Sequence, residues 1–414
     1  MVSRAVGAAA LFVLAASTAF AQSPEAMPAP GCAPGEGVPT SVEPMLGSGP
    51  SVLSEYTGNR FWFSGGYQAG FIRNQPTPAT IATQGGAFAI QGSPGVSRVL
   101  GGGDTDVGTL HGGRFNGGFW LGANRAFGIE AGVFFLAEKS ANSSVSGGNA
   151  ALGRPFYDTS IQAQNVRLLN LPGQVTGGVT NSVSSLVVGT DLGPIVRVIE
   201  TDMLTLDQLF YFRYFTLEEA QNVTDSVSPT GGVVTFRGQP FRGTGTSVSV
   251  RDSALAINHF YGGGAGLRLG ITPGRFSLSM TGRIAVGKNS GSLRLDGATA
   301  LNGTGADQTA TGGLLVPANA IGRYNRSDFS YMPEVGIKVG FQITRTVGVY
   351  AGYNFLYMTN VVRPGESFST QVNPTQLPSS QNFGVPFGPN NSAVQLSNSD
   401  FWMHTVGVGV NLNF

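Results

Sequence analysis

Three histidines, His111, His259 and His404, are the side chains of this chain best suited to move a proton or to hold a metal. Each has carboxylates nearby in sequence. Asp104 and Asp106 precede His111, Asp252 precedes His259, and Asp400 precedes His404. A His–Asp pair activates water when the carboxylate orients the ring, as in rim-sited hydrolases. The plainer alternative is an amphipathic role at a polar–apolar boundary, beside Tyr261, Phe401 and Trp402. No HExxH spacing occurs, and no serine stands in a recognisable nucleophile elbow. GGGDTD (101–106) occurs once, whereas calcium-binding repeats work in arrays. GGGAG (262–266) falls inside a strand pattern rather than at a strand–helix turn, so it is no phosphate loop. The expectation is no catalytic residue, no metal and no cofactor.

A second constellation is larger. Glu130, Glu138, Asp207, Arg213, Arg268, Arg283, Glu334 and Lys338 all lie in segments where apolar and polar residues alternate. Period-2 alternation sends the two sets to opposite faces of a strand. In 275–288, Phe276, Leu278, Met280, Ile284 and Val286 oppose Ser277, Ser279, Thr281 and Arg283. In 331–343, Val335, Ile337, Val339, Phe341 and Ile343 oppose Glu334, Gly336, Lys338, Gly340 and Gln342. If the apolar faces point outward, these charges line a lumen, either as a constriction that filters small polar solutes or as an ion-paired plug. Inward glycines (Gly262, Gly264, Gly266, Gly336, Gly340, Gly407, Gly409) fit open space or close packing equally well.

The elements that must position them are strands at about 60–72, 111–123, 126–138, 184–200, 203–219, 255–271, 275–288, 331–343, 346–359 and the C-terminal segment. The fourth is interrupted by Pro194. Asn124-Arg125, Thr201-Asp202, Thr272-Pro273-Gly274 and Thr344-Arg345 make very short turns, while the other connections (73–110, 139–183, 220–254, 289–330 and 360–400) are long. That alternation of short turns and long loops is the signature of an outer-membrane barrel. The predicted fold is an all-β, antiparallel transmembrane barrel of ten strands, or twelve if strands hide around 156–170 or 233–250. Phe61, Phe71, Phe276, Tyr353 and Tyr357 are expected to face lipid.

Composition agrees. Charged residues are only 11% of the chain and glycine numbers 62, which suits strands half in lipid. A net charge of +1 argues against nucleic acid. The lone cysteine, Cys32, excludes an internal disulfide framework and reads as a bland thiol. Residues 1–21 read as a secretory signal, with Arg4, an apolar run from Val6 to Ala16 and an Ala19-Phe20-Ala21 cleavage pattern. Residues 22–59, with Pro24, Pro28, Pro30, Pro34, Pro39 and Pro44, read as a disordered periplasmic tail. The barrel proper is expected over 60–414. Its last strand places Val406, Val408, Val410, Leu412 and Phe414 on one face, the pattern of a closing strand that carries the insertion signal.

The second half resembles the bacterial outer-membrane family called beta-barrel porin type seven. NHFYGGGAGLRLG (258–270), GRFSLSMTGRIAVG (274–287), GGLLVPANAIGRYNRSDFSYMPEVGIKVGFQI (312–343), GYNFLYMTNVVRPG (352–365), NPTQLP (373–378) and SDFWMHTVGVGVNLNF (399–414) carry the resemblance. RYFTLEE (213–219) and RFWFSGGYQAGF (60–71) match its earlier landmarks. The chain departs at Gly264, where the family pattern is polar, and at Met358, where it is aromatic. The resemblance implies a porin-like role, though a shared architecture transfers fold and location more firmly than activity.

The expectation is an integral outer-membrane barrel, both termini periplasmic, giving passive permeation of small polar solutes or ions. The alternative is a non-transport anchor whose external loops serve adhesion or envelope structure. Expected partners are outer-membrane lipid and the barrel-insertion machinery; a monomer and a homo-oligomer would read alike.

Overall fold

The computed structural model describes residues 60–414 apart from 123, 244, 304–306, 390–393 and 395. The signal (1–21) and tail (22–59) expectations lie outside the described residues. Among the described residues ten long strands close on themselves. They are β1 (Phe61–Ile72), β2 (Leu110–Leu121), β3 (Phe127–Ser146), β4 (Val175–Glu200), β5 (Leu204–Pro229), β6 (Ser247–Ile271), β7 (Phe276–Asn302), β8 (Gly322–Gln342), β9 (Val347–Val361) and β10 (Ser399–Asn413). Every neighbour is antiparallel, and β1 closes the ring against β10 in the register Phe63↔Leu412 and Tyr67↔Val408. Arg125 (φ 48°) and Gly274 (φ 64°) take left-handed backbone in two of the expected short turns.

The barrel has ten staves, not twelve. Strands do occur inside the long loops, at Leu152–Asp158, Ala163–Asn170, Val234–Phe236 and Gln239–Phe241, but they pair outside the ring. Pro194 does not interrupt β4. The ladder from β4 to β5 skips Gly193 and Pro194, so the missing N–H falls where that neighbour asks for no bond.

Several strands run far past the bounds that their lipid-type alternation suggests, because the apolar face changes side. On β6, Tyr261 and Leu267 point outward and are about half exposed (47% and 49%), whereas Val248, Val250, Ala254, Ala256 and Phe260 point inward and are buried. On β7, Met280, Ile284 and Val286 are outward and exposed, while Leu293, Leu295 and Leu301 are inward and buried. The ladder between β6 and β7 runs through this change without a bulge. The backbone is continuous and only the surroundings differ: outward apolar residues suit a hydrocarbon layer, and inward ones suit a water-bathed head with its own core.

That core is filled by the long loops. The hairpin Gln75–Gly85/Val96–Thr105, the strands Leu152–Asp158 and Ala163–Asn170, and the segment around Val362–Leu377 contribute Ile81, Leu152, Phe156, Leu169, Val372 and Leu377 to one cluster with the extended staves. Buried ion pairs fasten them. Arg154 binds Asp225 Oδ2 (2.8 Å) and Asp252 Oδ2 (2.7 Å). Burial alone disfavours the charged guanidinium, but Asp252 and Asp225 outweigh it and hold Arg154 above its ordinary pKa. Arg363 grips Glu219 at 2.7 Å through both Nε and Nη2. Arg154→Ala is expected to strip Asp252 of its cation at a cost of about 3–5 kcal/mol. Limited proteolysis should then cut the 152–170 segment, while the unheated protein keeps the gel mobility of a folded barrel.

Candidate functional site

Besides the ion pairs of the head, the chain collects charge inside the barrel lumen. The lumen is built in three layers. Nearest the short turns lies a chamber of about 310 Å³, reaching from Thr272, Gln342 and Asn413 at the strand ends up to Arg114, Arg283 and Glu334. Ser277, Ser279, Asn116, Asn354 and Asn411 give it a polar wall, and Trp62 and Tyr350 give it aromatic ones. Arg268 forms a two-pronged pair with Glu130 (2.6 and 2.7 Å) on its side. Lys338 Nζ stands 4.4 Å from the Tyr350 ring centre and 3.5 Å from Asn411 Oδ1.

Above it lies a charged belt. Arg213 takes Asp191 with both prongs (2.6 and 2.9 Å) and reaches Glu334 Oε2 at 2.5 Å. Arg283 binds the same Glu334 oxygen at 2.9 Å and Asp191 Oδ2 at 3.1 Å. Arg114 closes on Glu334 Oε1 at 3.3 Å. Both Arg213 and Arg283 lie over the Tyr211 ring, about 5 Å from its centre (5.2 and 5.3 Å). Two carboxylates thus hold three guanidiniums in a site where Arg213 and Glu334 are essentially inaccessible (0% and 2%). An isolated charge could not stay there.

The third layer, toward the long loops, is apolar. Phe134, Leu136, Phe215, Leu217, Phe260, Met332, Leu356, Phe401 and Met403 meet across the interior, each 2% exposed or less. Phe215 lies between Phe134 and Phe401, its ring tilted to both at centroid distances of 6.3 and 6.2 Å. Large side chains buried this way contribute about 1.5–3 kcal/mol each, so opening the layer is costly.

Of the inward glycines, Gly336 and Gly407 line the chamber, whereas Gly264 and Gly409 serve packing. A Cβ on Gly264 would lie 2.7 Å from Tyr211 Cε2, and one on Gly409 would lie 2.7 Å from Tyr350 Cζ. Those rings occupy the room that the glycines give up.

The structure brings together Arg213, Arg283 and Glu334 in the belt and Glu130, Arg268 and Lys338 in the chamber. Asp207 pairs with Arg197 at 2.8 Å, and Arg197 lies over Trp120. Glu138 is corrected. It does not face the lumen but is exposed, because Ala137 and Glu138 form a bulge where the β3–β4 ladder jumps from Leu136 to Lys139 and the face is reversed. Asp191, Arg114 and Arg197 are members that sequence reasoning did not single out. Arg114 was readable, since it alternates with the outward Phe115; Asp191 was hidden by the apparent break at Pro194.

The histidines sit outside the lumen, each held by a tyrosine. Nδ1 of His111, His259 and His404 meets the hydroxyl of Tyr67 (2.5 Å), Tyr214 (2.9 Å) and Tyr353 (2.5 Å). Asp252 is engaged elsewhere, by Arg154 and by the backbone N–H groups of Leu315 and Val316. Among the described residues no His–Asp hydrogen bond forms. Of the last strand's outward set, Val406, Val408, Val410 and Phe414 are exposed and Leu412 is half-buried.

Comparison with known proteins places this geometry in context. A family model described as beta barrel porin-7 matches residues 62–414. No curated protein matches the chain. Among solved structures, it is similar to the outer membrane protease OmpT from Escherichia coli, with 9% identity, a TM-score of 0.36, and coverage of 86% of this chain and 97% of that one. It is also similar to Ail, the attachment invasion locus protein of Yersinia pestis, with 8% identity, a TM-score of 0.22, and coverage of 86% and 99%. Likenesses this slight carry no argument about activity.

Removing one partner from the belt should be strongly destabilising. Glu334→Gln leaves three guanidiniums around a neutral amide and is expected to lower stability by about 3–5 kcal/mol. Urea unfolding of the barrel refolded in detergent measures this. Glu334→Gln combined with Arg283→Met should lose less than the sum of the two single changes, because they share the network.

Proposed function

Because the chain belongs to the beta barrel porin-7 family of outer-membrane β-barrels, we propose that it is a closed barrel that anchors a folded β-head on the cell exterior. In this orientation the short turns and both termini are periplasmic, which the asymmetry of the connections supports. The belt of exposed apolar residues meets outer-membrane lipid. Val406, Val408, Val410, Leu412 and Phe414 serve recognition by the insertion machinery. No catalytic role is assigned, since the histidines are engaged by tyrosines rather than carboxylates.

The observation that carries this reading is the double closure of the lumen. A solute leaving the chamber meets first the Arg213–Asp191–Glu334–Arg283 belt and then the apolar layer around Phe215, Phe260 and Met332. A hydrated ion crossing the second layer would lose its water with nothing polar to replace it. The head above is packed as well, so the working surface is the outer face of the loops, suited to adhesion or to envelope architecture.

Passive permeation of small polar solutes is the second reading, and the polar chamber at the short-turn end favours it. It requires the apolar layer to swing aside and the belt to re-pair, with Glu334, Lys338, Arg268 and Arg283 then acting as the filter.

The two readings separate in a planar lipid bilayer. The refolded full chain, shown to be inserted by protease protection, is expected to give no discrete conductance steps. Reproducible steps of constant size, with ion selectivity altered in Lys338→Gln, would sink the anchor reading and establish the porin one.

A further inference from the structure

The chamber at the short-turn end is more than the unfilled end of a plugged barrel. Its charges do not balance. Glu130 is neutralised by Arg268, and Asp191 and Glu334 together are shared by Arg114, Arg213 and Arg283. That leaves one guanidinium charge in excess, and Lys338 adds another, because among the described residues its ammonium meets only the Tyr350 ring and Asn411. Excess positive charge held between low-dielectric barrel walls, in a chamber open only at the short-turn end, focuses its field on an entering anion.

The donors point the same way. Arg114 Nη2 and Asn354 Nδ2 are both buried and have no hydrogen-bond partner among the described residues. Both residues line the chamber, with Lys338. Buried donors without partners cost free energy unless a ligand accepts from them. The hydroxyls of Ser277, Ser279 and Thr281 stand on the same wall and can donate in turn. The volume, about 310 Å³, lies at the small end of ligand pockets, so the occupant is compact.

We propose that this chamber is a binding site for a small oxyanion, a phosphate- or carboxylate-bearing solute entering from the short-turn end, held by Lys338, Arg114 and Asn354. Lipid headgroups are excluded as the source, because the site lies on the lumen side of the closed strand wall. The proposal does not rest on whether the barrel conducts. A chamber closed at the belt binds such an anion from one side, and an open one binds it in transit.

The test uses the full chain refolded in detergent and titrated calorimetrically with inorganic phosphate at constant ionic strength. Saturable binding of one phosphate per chain is expected. Lys338→Gln removes a charge that supports no ion pair among the described residues and should weaken binding about tenfold or more. Lys338→Arg should retain it. Arg251→Gln, on the exposed surface of the head, should leave the affinity unchanged, and each variant is checked for folded mobility on an unheated gel. No saturable heat, equal affinity in Lys338→Gln, or an equal loss in Arg251→Gln overturns the proposal. Loss of binding in Lys338→Gln with retention in Lys338→Arg supports it, whatever the bilayer recordings give.

Discussion

Everything in this protein follows from the need to pair each backbone N–H and C=O inside a hydrocarbon layer that offers no alternative partner. A sheet meets that need only by closing, so the first strand must find the last: Phe63 opposite Leu412, Tyr67 opposite Val408. Closure with ten staves makes an interior between the side-chain-filled eight-stranded type and the open wide channels. Closure also settles where the charges go. With lipid outside, residues such as Arg213, Glu334 and Arg268 have nowhere to turn but inward, and once inward they must neutralise one another.

The same constraint ends where the hydrocarbon ends, and the strands record the change. On β6 the apolar set passes from Leu267 and Tyr261 on the outside to Phe260, Ala256 and Ala254 on the inside, with no irregularity in the ladder. The layer of Phe215, Phe260, Met332 and Met403 lies where this inversion begins. The apolar closure of the lumen is therefore the floor of the head's interior as much as the ceiling of the barrel. Loops that look structureless in sequence are packed because the staves continue past the membrane and offer them an apolar face. Arg154 and Arg363 fix them there, since a buried guanidinium released from its carboxylates would be intolerable.

Charge is distributed unevenly along the axis. The belt is nearly self-neutralising and inaccessible, whereas the chamber below it keeps a surplus of cations beside donors that have no partner among the described residues. Packing explains the first arrangement. The second is what a protein retains when something anionic visits.

Much of this was legible in the sequence, for a definite reason. Period-2 alternation is a local property, so Phe276 to Val286 and Val335 to Phe341 declare their outward faces without reference to any neighbour, and Arg283, Glu334 and Lys338 are inward by subtraction. Short turns and long loops are equally local, and they pointed to ten staves or twelve; the ring closed with ten because the loop strands pair outside it. What the sequence could not settle depends on context. Glu138 alternates correctly but lies on a bulge that the partner strand, not β3 itself, defines. Asp191 belongs to the belt only because Pro194 falls where β5 asks for no hydrogen bond. The head strands repeat the same period with the opposite face apolar, and no local rule says which side is wet. Whether inward glycines leave a pore or make room for Tyr211 and Tyr350 is decided by side chains on other strands, brought across a lumen that exists only once the ring has closed.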